Sequence, residues 1–191
     1  MAKKIFIGLV LASVIAGMAS AQEGGKWYNS YAPGIDSSNL LINAGIGWGI
    51  LPYDMSLPPL SASIEYSGLK KIPLSFGAYY GIAMYDQKVA GTKWTGTMMG
   101  IGARAAWHFN FARNLDTYVG LNLGWMIYNQ KQEYTILWPN EQKIENEYDL
   151  SSFYYAFNLG VRWFFIKNLG LYAEVGYSPI SVASAGITLK F

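Results

Sequence analysis

The chain has 191 residues, of which 14 are Lys or Arg, 12 are Asp or Glu, one is His and none is Cys. This near balance of charge argues against nucleic acid as a partner, and the absence of cysteine excludes a disulfide framework. Aromatic residues make up 16% of the chain, yet beyond residue 21 no apolar run approaches the length of about 18 residues that a spanning helix needs. Such a chain is either a soluble β-protein with a large core or a membrane β-barrel.

The first 21 residues have the pattern of a secretory signal peptide. Lys3 and Lys4 form a basic start, residues 5–18 are apolar, and Ala-Ser-Ala at positions 19–21 matches an A-x-A cleavage site. We therefore expect export and a mature protein of one domain, residues 22–191. Because the leader takes two lysines, the mature chain has 12 basic residues (14 − 2) and 12 acidic residues, a formal charge of zero.

After a polar lead-in, eight segments alternate between apolar and small or polar residues with the period of two that is typical of β-strands. The predicted strands are 39–50, 60–67, 74–85, 94–109, 117–128, 152–165, 171–177 and 181–191. They predict an all-β fold, an eight-stranded antiparallel up-and-down barrel.

The two faces of these strands differ in a way that predicts which face points inward. In the first strand Ile42, Ala44 and Ile46 oppose Asn43 and Gly45, and the other strands divide in the same way. Small and polar residues make a poor solvated surface but suit a narrow lumen. We therefore expect the apolar face to contact lipid. The alternative is a soluble barrel or sandwich that buries the apolar face.

Large aromatic residues near strand ends support the membrane interpretation, because aromatic girdles lie at both interfaces of membrane barrels. They are Trp48, Tyr66, Trp107, Trp125, Trp163 and Phe165.

The last strand carries a resemblance to a known family. Residues 181–191 alternate strictly and end on Phe191. This resembles the closing strand of small eight-stranded bacterial outer-membrane barrels of the OmpX, OmpA-transmembrane and opacity-protein type. The resemblance implies a transmembrane β-barrel in the cell outer membrane, reached by secretion to the periplasm. It also implies contact with outer-membrane lipid and recognition of Phe191 by the barrel-insertion machinery.

The connections fit short periplasmic turns and longer outer ones. The longest, 129–151, is predicted as an outer loop, although its first part could extend the hairpin beyond the membrane. Two periplasmic turns repeat a pattern, with Asn114 and Asn168 in positions where a left-handed conformation suits a tight turn.

Charged residues on the inward face are expected to form a polar lumen network. They are Glu65, Arg104, Arg162, Glu174 and Lys190. Because the sixth and seventh strands are neighbours, a direct pair between Arg162 and Glu174 is predicted. Charges inside a narrow barrel are tolerated when they are paired, so we expect the network to fill the lumen. The alternative is a small, porin-like channel for ions or minor solutes lined by these charges.

The predicted outer loop offers exposed aromatic residues among acidic ones, which is a plausible surface for an external ligand. The candidates for interaction are Tyr134, Trp138, Glu141, Glu145 and Glu147. A solvated loop with its own small cluster is an equally good interpretation.

No enzyme chemistry is expected. His108 is the only histidine, and Asp116 is the one acid close to it across a turn. One histidine and no cysteine do not predict a metal site, and the glycines at 45–49 lie inside a strand, unlike a phosphate-binding loop. No cofactor is implied. The expected function is a structural or surface-interaction role, with the small channel as the alternative.

Overall fold

The computed structural model describes residues 39–49, 55–68, 72–89, 92–112, 114–136 and 142–191. The predicted signal peptide, Trp138 and Glu141 lie outside these residues. Within the described part of the chain, no helix has the length and apolar character to span a membrane.

Eight strands form one closed antiparallel barrel in which each strand pairs with its neighbours in the sequence. Their bounds are β1 Leu40–Trp48, β2 Leu57–Tyr66, β3 Leu74–Val89, β4 Thr92–Ala112, β5 Leu115–Ile136, β6 Gln142–Ile166, β7 Leu169–Tyr177 and β8 Ala183–Lys190. The predicted up-and-down fold with eight strands is confirmed.

The barrel closes between the first and last strands. Leu41 lies opposite Lys190 and Trp48 opposite Ala183, and Leu40 and Phe191 exchange two backbone hydrogen bonds of 2.9 Å. The C-terminal residue therefore takes part in the closing ladder, and neither β1 nor β8 is left as an open edge along this stretch.

The expected alternation of exposure runs along every spanning strand. On β2, Ser63, Glu65 and Ser67 are buried, whereas Ile64 and Tyr66 are 44% and 53% exposed. Apolar side chains therefore cover the outside of the barrel and polar side chains point inward, as the sequence pattern predicts.

Strands β3 to β6 are longer than predicted, and residues 129–136 and 142–151, expected in a loop, are strands, in agreement with the alternative that the first part extends the hairpin. β5 continues to Ile136 and β6 begins at Gln142, with Asn129 opposite Asp149 and Tyr134 opposite Ile144. Both faces of this stretch carry polar residues. The apolar face that marks a membrane strand is therefore missing, and the sequence resembles a loop.

The β4–β5 turn depends on a left-handed residue. Asn114 has φ of 62°, as expected, and its carbonyl accepts a 2.9 Å hydrogen bond from Phe164 N. Asn168, the matching residue of the β6–β7 turn, does not share this conformation. Its side-chain amide instead donates a 2.8 Å hydrogen bond to the carbonyl of Lys190.

Candidate functional site

A buried carboxylate on β2 is the centre of the charged groups inside the barrel. Glu65 is fully buried. Its Oε1 accepts hydrogen bonds from Arg104 Nε at 2.9 Å and from Arg162 Nη2, and its Oε2 accepts one from Ser75 Oγ at 2.9 Å. A carboxylate with this many donors can remain charged without water.

Arg162 does not pair with Glu174 as the sequence analysis predicts. Besides Glu65, Arg162 donates from Nη1 to Asp116 Oδ2 at 2.7 Å and from Nε to Asn43 Oδ1 at 3.1 Å. Residue 162 lies opposite Tyr172 in the ladder. The expected pair is therefore one rung out of register. The guanidinium instead bonds to Asp116 on its other neighbouring strand, β5, and reaches across the lumen to Glu65 and Asn43.

Glu174 is held by a different cation. Arg104 Nη2 donates to Glu174 Oε1 at 2.5 Å, and Tyr118 Oη donates to the same oxygen at 2.6 Å. The Tyr118 ring also lies under Arg162, whose guanidinium carbon is 4.0 Å from the ring centroid, a favourable cation–π distance. Tyr118 therefore links the two arginines through one side chain.

His108 completes the cluster together with Ser75 and Asp116, and all three side chains are fully buried. His108 Nδ1 lies 2.8 Å from Asp116 Oδ1, and Nε2 lies 2.9 Å from Ser75 Oγ. Since Ser75 has one hydroxyl hydrogen and donates it to Glu65, it accepts from His108. In this arrangement Nε2 donates to Ser75 and Nδ1 faces the Asp116 carboxylate.

This proton arrangement differs from that of a hydrolytic Ser–His–Asp triad, in which the serine gives its proton to the histidine. Arg104, Arg162 and His108 face three carboxylates, Glu65, Asp116 and Glu174. Among the described residues, no group of three or more His, Asp and Glu side chains is arranged to hold a metal ion.

Lys190, the fifth predicted member of the lumen network, lies apart from this cluster at the end of β8. Its Nζ is 4.6 Å from the centroid of the Phe164 ring, and the residue is partly exposed. It is therefore a residue of the barrel rim, at the end that carries the β6–β7 turn.

The opposite end of the lumen contains an apolar side chain from the β7–β8 connection. Ile180 is only 2% exposed. A Cβ atom added at Gly100 would lie 2.8 Å from Ile180 Cδ1, and one added at Gly81 would lie 3.0 Å from it. The two glycines thus leave the space on β3 and β4 that this side chain occupies.

A small cavity of about 20 Å³ lies between the charged cluster and the β7–β8 connection, with Asn122, Asn158 and Glu174 among its lining residues. Both amide atoms of Asn158 are buried without a hydrogen-bond partner among the described residues. A cavity of this size holds about one water molecule, which is the group that would satisfy this amide.

Four of the five predicted lumen residues meet in one cluster in the structure. The sequence analysis did not identify several of their partners. Asn43, Ser75 and His108 are on the inward face of the predicted strands, so parity alone could have added them. Asp116 and Tyr118 lie an even number of residues from Asn122 on β5 and therefore also point inward. The predicted strand begins only at residue 117, so it leaves Asp116 out.

Beyond the barrel, strands β3 to β6 continue as a four-stranded sheet, here called the extension and defined as residues 83–89, 92–98, 128–136 and 142–152. Within these residues the register places the charged positions on one face, here the ionic face. The charged positions are Asp86, Lys88, Lys93, Lys131, Glu133, Lys143, Glu145, Glu147 and Asp149.

Ion pairs connect the strands of the ionic face. Lys93 Nζ lies 3.2 Å from Asp86, and Lys131 Nζ lies 3.0 Å from Glu145 and 3.3 Å from Glu147. Hydrogen bonds to Glu145 and Glu147 raise the pKa of Lys131. An open cavity of about 540 Å³ is lined largely by this face.

The other face carries no charged residue within the described part of the extension, and we call it the aromatic face. Reading across β3, β4, β5 and β6, one row is Gln87, Trp94, Gln132 and Asn146, the next is Tyr85, Gly96, Gln130 and Tyr148, and the third is Ala83, Met98, Tyr128 and Leu150. Of the predicted interaction residues, Tyr134 continues this face, whereas Glu145 and Glu147 lie on the ionic face.

Comparisons with known proteins give matches only among solved structures. No protein-family model matches the sequence, and no curated protein matches it. The crystal structure of the N-terminal β-barrel domain of Pseudomonas aeruginosa OprF matches with a TM-score of 0.43 and 16% identity, over 82% of this chain and 98% of that one.

Ail, the attachment invasion locus protein of Yersinia pestis, matches with a TM-score of 0.45 and 12% identity over 82% of this chain and 100% of Ail. Ail in complex with the heparin analogue sucrose octasulfate matches with the same TM-score and 10% identity. The barrel fold assigned above rests on the strand pairing of this chain itself.

Proposed function

We propose that the protein is exported to the outer membrane, spans it as a barrel with a closed polar lumen, and acts through recognition by its extension outside the cell. In this proposal the lumen cluster is structural, and the protein is not an enzyme. The observation that carries the proposal is the extension of β3 to β6 far beyond the other four strands.

The outer surface of the barrel supports a membrane location. Large apolar side chains are widely exposed around it, including Ile101 at 57%, Leu171 at 50% and Ile187 at 51%. Soluble monomers rarely expose apolar surface this extensively, and a bilayer is the solvent that would cover it. Eight-stranded barrels of this type pair every strand, so the backbone polar groups are also satisfied in lipid.

The contacts inside the barrel support a closed lumen. An eight-stranded barrel leaves an interior only wide enough for side chains. Here Glu65, Arg104 and Arg162 bridge opposite walls, and Ile180 occupies the lumen near the other end. A solute would have to break buried ion pairs to pass, which is costly.

The length of the extension supports a role outside the cell. β6 runs from Gln142, whereas its pairing with β7 begins only at Phe157. The part of β6 in the extension, residues 142–152, pairs only with β5 and is about 36 Å long at about 3.3 Å per residue. It projects from the end opposite to Phe191, which is the outer end if both chain termini face the periplasm.

Single-cysteine labelling on intact cells tests this orientation, because the chain has no cysteine of its own. Glu145→Cys in the extension should react with a maleimide that cannot cross membranes. Lys167→Cys, an exposed residue of the β6–β7 turn, is the matched control and should react only after permeabilisation. Labelling of position 167 but not 145 on intact cells would contradict the proposal.

A further inference from the structure

The two faces of the extension differ in a way that indicates what it recognises. Among the described residues above the barrel, the face that continues the lumen has only glycine and aromatic, amide, apolar and hydroxyl side chains, whereas the charged positions lie on the opposite face. In a sheet that is simply solvated, charges would be expected on both faces. Their segregation leaves one uncharged surface of defined chemistry.

The rings of the aromatic face are held in position by their neighbours. Tyr85 and Tyr128 stack with centroids 6.3 Å apart and planes inclined by 19°. Gly96 lies between their strands, and a Cβ there would be 2.3 Å from the Tyr85 ring. Tyr128 Oη donates a 2.7 Å hydrogen bond to Gln130 Oε1. The floor of this face is therefore pre-organised, which lowers the entropic cost of binding.

Other parts of the same face are open to a ligand. Tyr148 is 55% exposed and Leu150 is 61% exposed, and Gln130, Gln132 and Asn146 are partly exposed. Each amide offers two donors and an acceptor with two lone pairs. Flat apolar rings alternating with neutral amides match a ligand that has apolar C–H faces and many hydroxyl groups and carries no charge.

Resting on the proposed function, we propose that the aromatic face of the extension binds an uncharged glycan, with Tyr148 and Trp94 as stacking platforms and Gln130, Gln132 and Asn146 as hydrogen-bonding partners of its hydroxyls. A sulfated or phosphorylated glycan would need cationic groups, and this face has none. A protein partner is less well matched, because interfaces between proteins favour Arg beside Tyr and Trp.

The ionic face lines most of the cavity of about 540 Å³, but its charged residues are a poorer match for a neutral ligand. Its acids are already engaged, Asp86 with Lys93 and Glu147 with Lys131, and Asp149 accepts a 2.6 Å hydrogen bond from Asn129. A ligand there would have to displace these contacts. Because the aromatic face continues the inward parity of the barrel, it also faces the barrel axis and not the surrounding lipid, which favours a glycan from solution over the sugars of membrane lipids.

Binding of a panel of neutral oligosaccharides made of glucose, galactose or N-acetylglucosamine tests the inference. The full mature chain is placed in phosphatidylcholine nanodiscs, since many detergents carry sugar head groups. Saturation-transfer NMR detects binding, and calorimetry gives the affinity. We expect at least one neutral oligosaccharide to bind with an affinity that does not change with salt, because no charges are paired.

Adjacent residues on opposite faces provide the matched variants. Tyr148→Ala and Trp94→Ala should each weaken binding about tenfold, whereas Glu147→Ala should leave it within about twofold. Retained heat-modifiability on gels shows that each variant is folded. The inference is overturned if only sulfated oligosaccharides, lipid-borne sugars or peptides bind, if Glu147→Ala is the damaging change, or if no oligosaccharide binds. The labelling experiment on intact cells would still judge the proposed function separately.

Discussion

The direction of one hydroxyl hydrogen decides what the Ser75–His108–Asp116 group can do. Ser75 donates to Glu65 and accepts from His108, so its oxygen is neither accessible nor basic. We predict that a fluorophosphonate probe does not label the folded protein, as judged by mass spectrometry. Labelling at Ser75 would show that the hydrogen-bond direction is reversed and that an acyl-transfer function has to be considered.

The Ser75 hydroxyl is a hydrogen-bond partner of two buried side chains, Glu65 and His108, so removing it should lower the stability of the protein. Ser75→Ala removes an acceptor from His108 and a donor from Glu65, both fully buried. Leaving buried polar groups without partners costs about 1–3 kcal/mol each. We expect a lower free energy of unfolding in urea titrations of the protein in lipid vesicles. Ser151→Ala, an exposed position on β6, is the control and should change little.

Arg162 pairs with two fully buried carboxylates. Arg162→Ala leaves Glu65 and Asp116 without one of their charged partners. Breaking one side of a buried ion pair typically costs about 3–5 kcal/mol, and we expect a loss of that size in the same urea titration. Lys93→Ala, which breaks an exposed pair with Asp86, should cost less than about 1 kcal/mol.

At this scale, alternation in the sequence predicts which residues face inward but not which of them meet. Glu65, Arg104, Arg162 and Glu174 all face inward, as expected. Their pairing depends on which walls of the closed barrel lie opposite each other, and β2 faces β4 and β6 only after β1 has joined β8. Arg162 and Glu174 lie on neighbouring strands but do not face each other in the ladder. The register that separates them is fixed by the closed barrel as a whole.

At the scale of elements, the extension is separable from the barrel. Its described residues 131–136 and 142–147 pair only with β4 and each other in the ladder, so they contribute little to the eight-stranded barrel. Replacing 131–147 with Asn-Gly should join Gln130 to Tyr148 by a two-residue hairpin turn. We expect this variant to remain heat-modifiable with an unchanged urea midpoint and to lose glycan binding. Failure to fold would show that the extension is part of the folding unit.

The β7–β8 connection contributes through one side chain. Ile180 is buried where Gly81 and Gly100 leave space, so Ile180→Ala creates a cavity and should cost about 2–5 kcal/mol. Ile166, at the end of β6, is 58% exposed. Ile166→Ala is therefore the comparison and should lower the free energy of unfolding by less than half as much. Equal losses in urea titrations would mean that Ile180 is not packed as described.

The sequence predicts the strands of the closed barrel well because their outer face is apolar at every second residue. It fails for the extension, where both faces carry polar residues and Asn129, Lys131 and Glu133 then look like loop residues. The alternation is nevertheless present there, with charges on one face and Tyr128, Gln130, Gln132 and Tyr134 on the other. A search for charge alternation would have found these strands.

For the whole molecule, the two candidate functions differ in conductance. The mature chain in a planar bilayer should show no steady openings, because the charged cluster and Ile180 occupy the lumen at two levels. A folded Arg104→Ala/Ile180→Ala variant should show openings. Steady conductance of the unmodified protein would instead favour the small channel.

The charged cluster also has a consequence for how the barrel is assembled. Asn43, Glu65, Arg104, Asp116, Arg162 and Glu174 come from six different strands, and three of the five ion pairs in the cluster join strands that are not adjacent. If the barrel spans a membrane as proposed, an isolated hairpin would carry unpaired charges into the bilayer at a cost of several kcal/mol each. Stepwise insertion, hairpin by hairpin, is therefore unfavourable. The strands would have to associate before or during insertion, because the full set of ion pairs forms only in the closed barrel.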